Sequence, residues 1–348
     1  MSYKQGYPAT ILDLGFGILD DATVETCATV LLADEELTWS DIRGMFLRLN
    51  HIEVHHQAIL QRVLQDLRSK QLSGRVYCVP LREFLIIPSM AIAYWAPKAL
   101  RSKFRDLPSL RPHIADVRQG LATACDARFV RWYWEVDSER IGISRRWVPF
   151  AKGGDFSRFY YDHNLVVNWE NDGYAIKNYR WPSGRQRSRP QNEQFYFEEG
   201  LTYVYVTVKG FNVRYLPQNH IFGHAGNSIF PRYLEHLSPL LGLLTSGLIQ
   251  FLLSLLTDSR KYEVGYVSSI PIPELTSAVD LEALARENHA LKAAWDTGNE
   301  ISTRFTQPWL LQLARPEGEA IAQGVGRVLA LLGDEAPPVE LPEPVTLE

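Results

Sequence analysis

Residues 11–32, ILDLGFGILDDATVETCATVLL, carry the pattern on which the fold reading turns. Two apolar runs, residues 10–14 and 23–32, flank the turn-rich GFGILDDA and read as two strands joined by a short connection. Both runs are apolar at successive rather than alternate positions, which is the pattern of strands covered on two faces inside an α/β sheet. Downstream, residues 41–71 end in a helix, with Ile52, Ile59, Leu60, Val63, Leu64 and Leu67 at helical spacing and Gly74 beyond its end. Residues 76–213 are interrupted by eight prolines and read as mainly β with long connections. Residues 237–256 read as one buried helix, and YEVGYVSSIPIPE (262–274) as a strand running into a proline-stiffened exit. A further helix starts near a capping box at Ser277 and Asp280 and ends at Gly298. An apolar helix from about Gln312 to Leu332 follows, and the last sixteen residues, with four prolines and five carboxylates, form a tail unable to bury a core.

The 348 residues are 46% hydrophobic and 22% charged, with 40 aromatics, enough for two or three packed units and incompatible with disorder or collagen-like repeats. Cys27, Cys78 and Cys125 lie far apart with no CxxC, which supports neither a disulfide framework nor a cysteine zinc site and fits a reducing cytoplasm. The N-terminus lacks the basic-then-apolar layout of a secretion signal. Residues 237–257 are uncharged and match a membrane span in length, but their Ser, Thr, Pro, Gly and Gln content points to a buried helix and no membrane partner. The net charge of −4 is unevenly distributed: residues 140–190 hold ten Lys/Arg against four Asp/Glu, residues 274–348 five against thirteen. A near-neutral chain can therefore still present a basic face to a polyanion.

Three motifs invite chemistry. DLGFG, residues 13–17, resembles the turn that holds the methionine part of S-adenosylmethionine, which makes Asp13, Gly15 and Gly17 cofactor candidates; the same glycines equally serve a tight strand connection. An amino-methyltransferase acting on adenine or cytosine also needs an Asn/Asp/Ser-Pro-Pro-aromatic turn to hold the extruded base. The one Pro-Pro pair, Pro337-Pro338, follows Ala336 in the tail, so that turn is absent and no catalytic residue is assigned. His51, Glu53, His55 and His56 do not form HExxH, and His220 and His224 have no acidic or cysteine partner nearby in sequence, so no metal is expected. No GxSxG elbow, P-loop or GxGxxG fingerprint supports a hydrolase, kinase or dehydrogenase.

Residues 129–215 hold 21 of the 40 aromatics, interleaved with arginines. Arginine forks grip phosphates and read guanine edges, Asn and Gln read adenine, and the backbone amides of KGG (152–154) can approach a phosphate closely. The block reads either as a nucleic-acid surface or as an aromatic β core carrying a solvated Arg-rich loop at RQRSR.

Several strings, in order, resemble the adenine-specific DNA methyltransferases of the phage-defence BREX type and related single-chain type IIG restriction-modification enzymes. ILDLGFGILDDATVETCATVLL is similar to a strand pair late in their catalytic domain. FLIIPSMAIAYW, DVRQGLATACDARFVRWYWEVD, WVPFAKGGDFSRFYYDHNLVVNWENDG, GLTYVYVTVKGFNVRYLPQNHIFGHAGNSIF, LLGLLTSGLIQFLLSLL, YEVGYVSSIPIPE and AAWDTGNEISTRFTQPWLL resemble segments of the target-recognition region that follows. The resemblance spans residues 11–311. It implies a mixed α/β chain: terminal strands of a methyltransferase-like core (1–40), a connecting segment (41–115), a β-rich target-recognition domain (116–275), a helical segment (276–332) and a disordered acidic tail (333–348).

The same resemblance makes DLGFG a strand connection rather than the cofactor turn and implies that the cofactor half and catalytic turn lie upstream of Met1. The chain then reads as truncated at both ends or as one half of a split enzyme. S-adenosylmethionine would belong to the complete enzyme, double-stranded DNA would be the partner, and a separate catalytic subunit is a further candidate partner. Lys152, Arg158, Arg185, Arg187, Arg189 and Arg214 are candidates for phosphate or base contacts, with Gln119, Thr123, Arg128 and Asn171 as readers; Asn168 and Asn171 fix the loop around a core Trp169. One departure stands out. The family pattern near Gly120 usually reads GLATGDNDRF, whereas here it is GLATACDARF, with Ala124 for the glycine and Asp126 for the asparagine.

Overall fold

The computed structural model describes residues 6–19, 24–33, 38–40, 42–50, 56–69, 74–257, 260–275 and 278–313. The chain divides into two units: Met1–Ile114 with Gly247–Ser259 and Gly265–Pro273, and Ala115–Ser246 with Arg260–Val264 and Glu274–Glu348. The apolar 312–332 helix, the acidic tail, Ser277 of the expected capping box, and His51, Glu53 and His55 lie wholly or almost wholly outside the described residues.

In the first unit, β1 (Gly6–Gly15), β2 (Thr26–Ala33), β3 (Arg43–Arg48) and β4 (Val76–Pro80) form one sheet in the order β2-β1-β3-β4. Only β1 and β3 run parallel. The helical repeat read from sequence becomes α1 (His56–Arg68), whose Ile59, Leu60, Val63 and Leu67 pack on Leu47, Leu49 and Val76 of the sheet. Burying a side chain such as Val63 stabilises the unit by roughly 2 kcal/mol. Elsewhere in this unit Phe46 stacks on Tyr94 at 4.8 Å, and the buried Arg101 is fixed by Glu83 and by the Tyr94 and Ala96 carbonyls.

The division expected at residue 40 does not exist, because β1 and β2 share their sheet with β3 and β4. Nor is β2 an interior strand. Among the described residues it pairs with β1 alone, at the outer edge, and leaves its apolar run exposed: Val30 and Leu31 are each 62% exposed. Successive apolar positions predict two covering layers, and the described residues supply none for this strand.

The second unit contains eight strands among its described residues. β5 (Ala115–Arg118), β9 (Gly200–Val204), β10 (Val213–Leu216) and β12 (Gly226–Pro231) form an antiparallel sheet in the order β10-β9-β12-β5. β6 (Val130–Trp132), β7 (Trp147–Ala151), β8 (Leu165–Asn168) and β11 (Ile221–Phe222) form another, ordered β11-β7-β8-β6, with β11 and β7 parallel. Phe129, Val148, Phe150, Val167, Trp169, Ile176, Tyr196, Ile221, Phe222 and Phe230 make one continuous core. Many of the block's rings are therefore inside.

The expected single helix over 237–256 is two helices, Leu237–Leu244 and Gly247–Ser254. The Thr245 hydroxyl donates back to the Leu241 and Gly242 carbonyls at 2.9 Å each, and Ser246-Gly247 favours the break. No single helix among the described residues is long and apolar enough to cross a membrane. Leu237–Leu244 instead packs on the helix Val279–Trp295, and a Cβ at Gly242 would lie 2.9 Å from the Leu281 carbonyl, so only glycine permits that approach. YEVGYVSSIPIPE also departs from expectation, since Val264–Ser268 is helical, with the Ser269 hydroxyl donating back to the Gly265 carbonyl at 2.9 Å. Its β-branched residues suggested a strand, and local back-bonding together with burial of Val267 prevails.

Candidate nucleic-acid interface

Three connections of the second unit meet through backbone hydrogen bonds, and a fourth packs against them. Leu121 N–H donates to the Phe222 carbonyl and His224 N–H to that of Leu121, tying 119–125 to 223–226. Ala122 and Arg189 exchange two backbone bonds, at 3.0 and 2.8 Å, which brings in the Arg-rich strand. The KGG connection abuts the Gly-rich one. Gly153 has φ +119°, and a Cβ there would stand 2.8 Å from the Ala225 carbonyl, so this approach requires glycine.

The WPSG of residues 181–184 makes the turn of a hairpin. Pro182 takes the second turn position, Gly184 N–H donates to the Trp181 carbonyl, and Gly184 has the positive φ of +82° that such a three-residue loop requires. Its return arm carries Arg185, Arg187 and Arg189. Arg187 is braced: its Nη1 donates to the Tyr179 hydroxyl at 2.8 Å, and its guanidinium lies 4.1 Å from the Trp181 ring centroid and 5.0 Å from that of Tyr179. Arg128 lies 5.2 Å from the same Tyr179 ring. Arg128, Arg185 and Arg189 are exposed, and among the described residues none of the four arginines forms an ion pair. The two guanidiniums on aromatic faces, those of Arg128 and Arg187, are held in place, and all four arginines are left unneutralised.

Lys152 differs. It is paired with Asp126, whose other carboxylate oxygen accepts from the buried Thr123 hydroxyl at 2.6 Å. Burial alone would raise the Asp126 carboxyl, but the hydrogen bonds from Lys152 and Thr123 outweigh it and hold it below the usual carboxylate range. His224, beside this pair, is kept neutral by burial and by the charges of Arg189 and Lys152, which push its imidazole below its ordinary value. His224 carried no obvious role in the sequence, because what places it is the 121–223 pairing across a hundred residues.

The remaining candidates fall elsewhere. Gln119 is half-buried, its carbonyl accepting from the Asn192 amide at 2.9 Å. Asn168 closes a local turn by accepting the Glu170 N–H at 3.2 Å, and the exposed Asn171 has φ +51° in that same turn over the buried Trp169. Arg158 is half-buried beside Phe156. Arg214 is a correction: it has no exposed surface for a phosphate. Its guanidinium donates to the Asp155 carbonyl at 2.8 Å and to that of Gly153, and lies 4.4 Å from the Tyr161 ring centroid, so it braces the KGG connection from within. Burial lowers it to about 10. In the first unit, Asp13 accepts the Tyr94 hydroxyl at 2.9 Å, Gly15 is the buried last residue of β1 with φ +74°, and Gly17, φ +77°, lies in the exposed connection that follows. No group of three or more His, Cys, Asp or Glu among the described residues is placed to hold a metal ion.

No protein-family model matches the chain. The adenine-specific methyltransferase BrxX of Escherichia coli O9:H4 (strain HS) is 29% identical over 238 residues, 66% of this chain and 19% of that protein. PglX of Lacticaseibacillus casei (strain Zhang), also an adenine-specific methyltransferase, is 29% identical over 246 residues, 68% of this chain and 20% of that protein. By sequence, this chain is similar to the BREX-type adenine-specific methyltransferases. It spans about a fifth of the length of either relative. Within the BREX-type pattern the GLATACDARF departure now has a geometry: Ala124 has φ +60°, a left-handed conformation that suits glycine and costs an alanine roughly 1 kcal/mol. At the second departure, Asp126 forms the pair with Lys152 that an asparagine could not charge-balance.

Proposed function

We propose that this chain is the sequence-recognition portion of an adenine-N6 DNA methyltransferase of a phage-defence system. In the complete enzyme, S-adenosylmethionine and the Asn-Pro-Pro-aromatic turn act on an adenine extruded from the duplex, while this chain holds the surrounding bases. The observation that carries the reading is the unneutralised set of Arg128, Arg185, Arg187 and Arg189, two of them set on Tyr179, on connections that backbone bonds tie to each other and to residues 222–224. Cations without carboxylate partners release counterions from a phosphate backbone, and guanidiniums fixed on rings present their forks to base edges at low entropic cost. The Arg185→Ala/Arg187→Ala double variant tests it by fluorescence anisotropy on a labelled duplex across a salt series. Affinity should fall about tenfold and the salt slope by about two; an unchanged slope contradicts the reading.

The exposed β2 favours a second reading, in which the chain docks a separate catalytic subunit through this edge. Co-purification of a methyltransferase chain that is lost in Val30→Lys/Leu31→Glu supports it. A third reading, S-adenosylmethionine held at Asp13, Gly15 and Gly17, is met by calorimetry with the cofactor: the recognition reading expects no heat of binding, since the Asp13 carboxylate is engaged by Tyr94.

A further inference from the structure

Outside the interface just described, the second unit has a cleft of about 370 Å³ between residues 157–164 and the helix Val279–Trp295. Lys292 and Trp295, three residues apart on one helix side, both line it. The Lys292 ammonium donates to the Ser157 hydroxyl at 2.8 Å and to the Arg158 carbonyl at 3.0 Å, which leaves one of its three protons unspent. Arg158 stands beside the cleft, outside its lining, and its buried Nε has no hydrogen-bond partner among the described residues. Among those residues neither cation forms an ion pair. Of the two carboxylates in the cleft, Asp162 is committed to Thr303, accepting its N–H at 2.9 Å and its hydroxyl. Trp295 is 67% exposed and supported from one side by Trp309 at 5.0 Å. A purely structural lysine in this position would be expected to meet a carboxylate. Here burial and the neighbouring charges of Arg158 and Arg214 push Lys292 below its ordinary value, a situation that an incoming anion relieves.

We propose that this cleft is a nucleotide site in which Lys292 holds a phosphate and Trp295 stacks on the base, the nucleotide being either free or a unit of a DNA strand. The volume suits one nucleotide, and Asp296 and Asn299 in the lining offer acceptors to a base edge. This goes beyond the recognition reading and stands on different residues.

The test uses the full chain with two probes: ATP by calorimetry and a labelled duplex by anisotropy. Lys292→Glu should weaken one of them at least tenfold and Trp295→Ala about tenfold, while Lys292→Arg stays within threefold of the parent. Loss confined to ATP identifies a free nucleotide; loss confined to the duplex, with a salt slope smaller by about one to two, identifies a backbone phosphate. A lysine that only ties the helix to residues 157–158 would lower the unfolding temperature and leave both affinities unchanged, and that result overturns the proposal. So does a parent chain that binds neither probe. If Lys292→Glu weakens duplex binding while Arg185→Ala/Arg187→Ala does not, the cleft stands and the recognition reading falls.

Discussion

The loop end of the second unit and the β1–β2 edge of the first are both exposed, yet they are built oppositely. At the loop end every backbone excursion is tied down: Gly153 fits against Ala225, Arg214 holds the KGG carbonyls from inside, and Arg187 is braced by two rings. What is left exposed there is charge. At the β2 edge what is left exposed is hydrocarbon, Val30, Leu31 and Leu32, on a strand with one neighbour. Braced, uncompensated charge is the signature of a surface that meets a polyanion, and an uncovered apolar strand that of a surface that meets another protein. The proposed function places DNA at the charged surface and, in its second reading, a protein contact at the apolar one.

The largest expected effect breaks the bracing. Arg214→Ala removes a buried cation with two carbonyl acceptors and should destabilise the chain by about 3 kcal/mol in urea unfolding, while Arg185→Ala, exposed, should change stability by less than about 0.5 kcal/mol. Equal stabilities would remove the distinction between brace and contact. Next comes acid. His163, His220 and His224 all sit below the ordinary imidazole value, His163 furthest, each first because of burial. The unfolded chain therefore takes up more protons once the pH drops below about 6.5, so stability is complete above that value and is lost as the pH falls toward the folded-state values. Urea midpoints at pH 7.5 and 5.5 check the direction, and a higher midpoint at pH 5.5 contradicts it. Ala124→Gly should stabilise by about 1 kcal/mol by removing a Cβ from a left-handed position, read as a higher unfolding temperature. The smallest effect is Asp126→Asn, which frees Lys152 and should raise duplex affinity a few-fold in the same anisotropy series.

Local signals were legible in the sequence. α1, the helix ending near Gly298 and the burial of Trp169 all follow from residues a few positions apart. What failed depends on distant partners. The exposure of β2 depends on which layers are present, not on its own residues. The break at Thr245 is the local exception, turning on a hydroxyl that bonds carbonyls three and four residues back. Arg214 looks like any strand arginine until the KGG carbonyls close over it, and His224 acquires its neighbours only when 121 pairs with 223. The aromatic block was read as either a nucleic-acid surface or an aromatic core: eight of its 21 rings are buried, while Tyr179 and Trp181 lie against the Arg187 guanidinium.

The division of labour between the two units is tested most directly by amide hydrogen exchange on the chain with and without a saturating DNA duplex. The account predicts slowed exchange in peptides covering 119–129, 152–154, 177–189 and 223–226, with none in 26–33. Protection confined to 26–33, or absent from all four loop segments while the duplex is demonstrably bound, would contradict it.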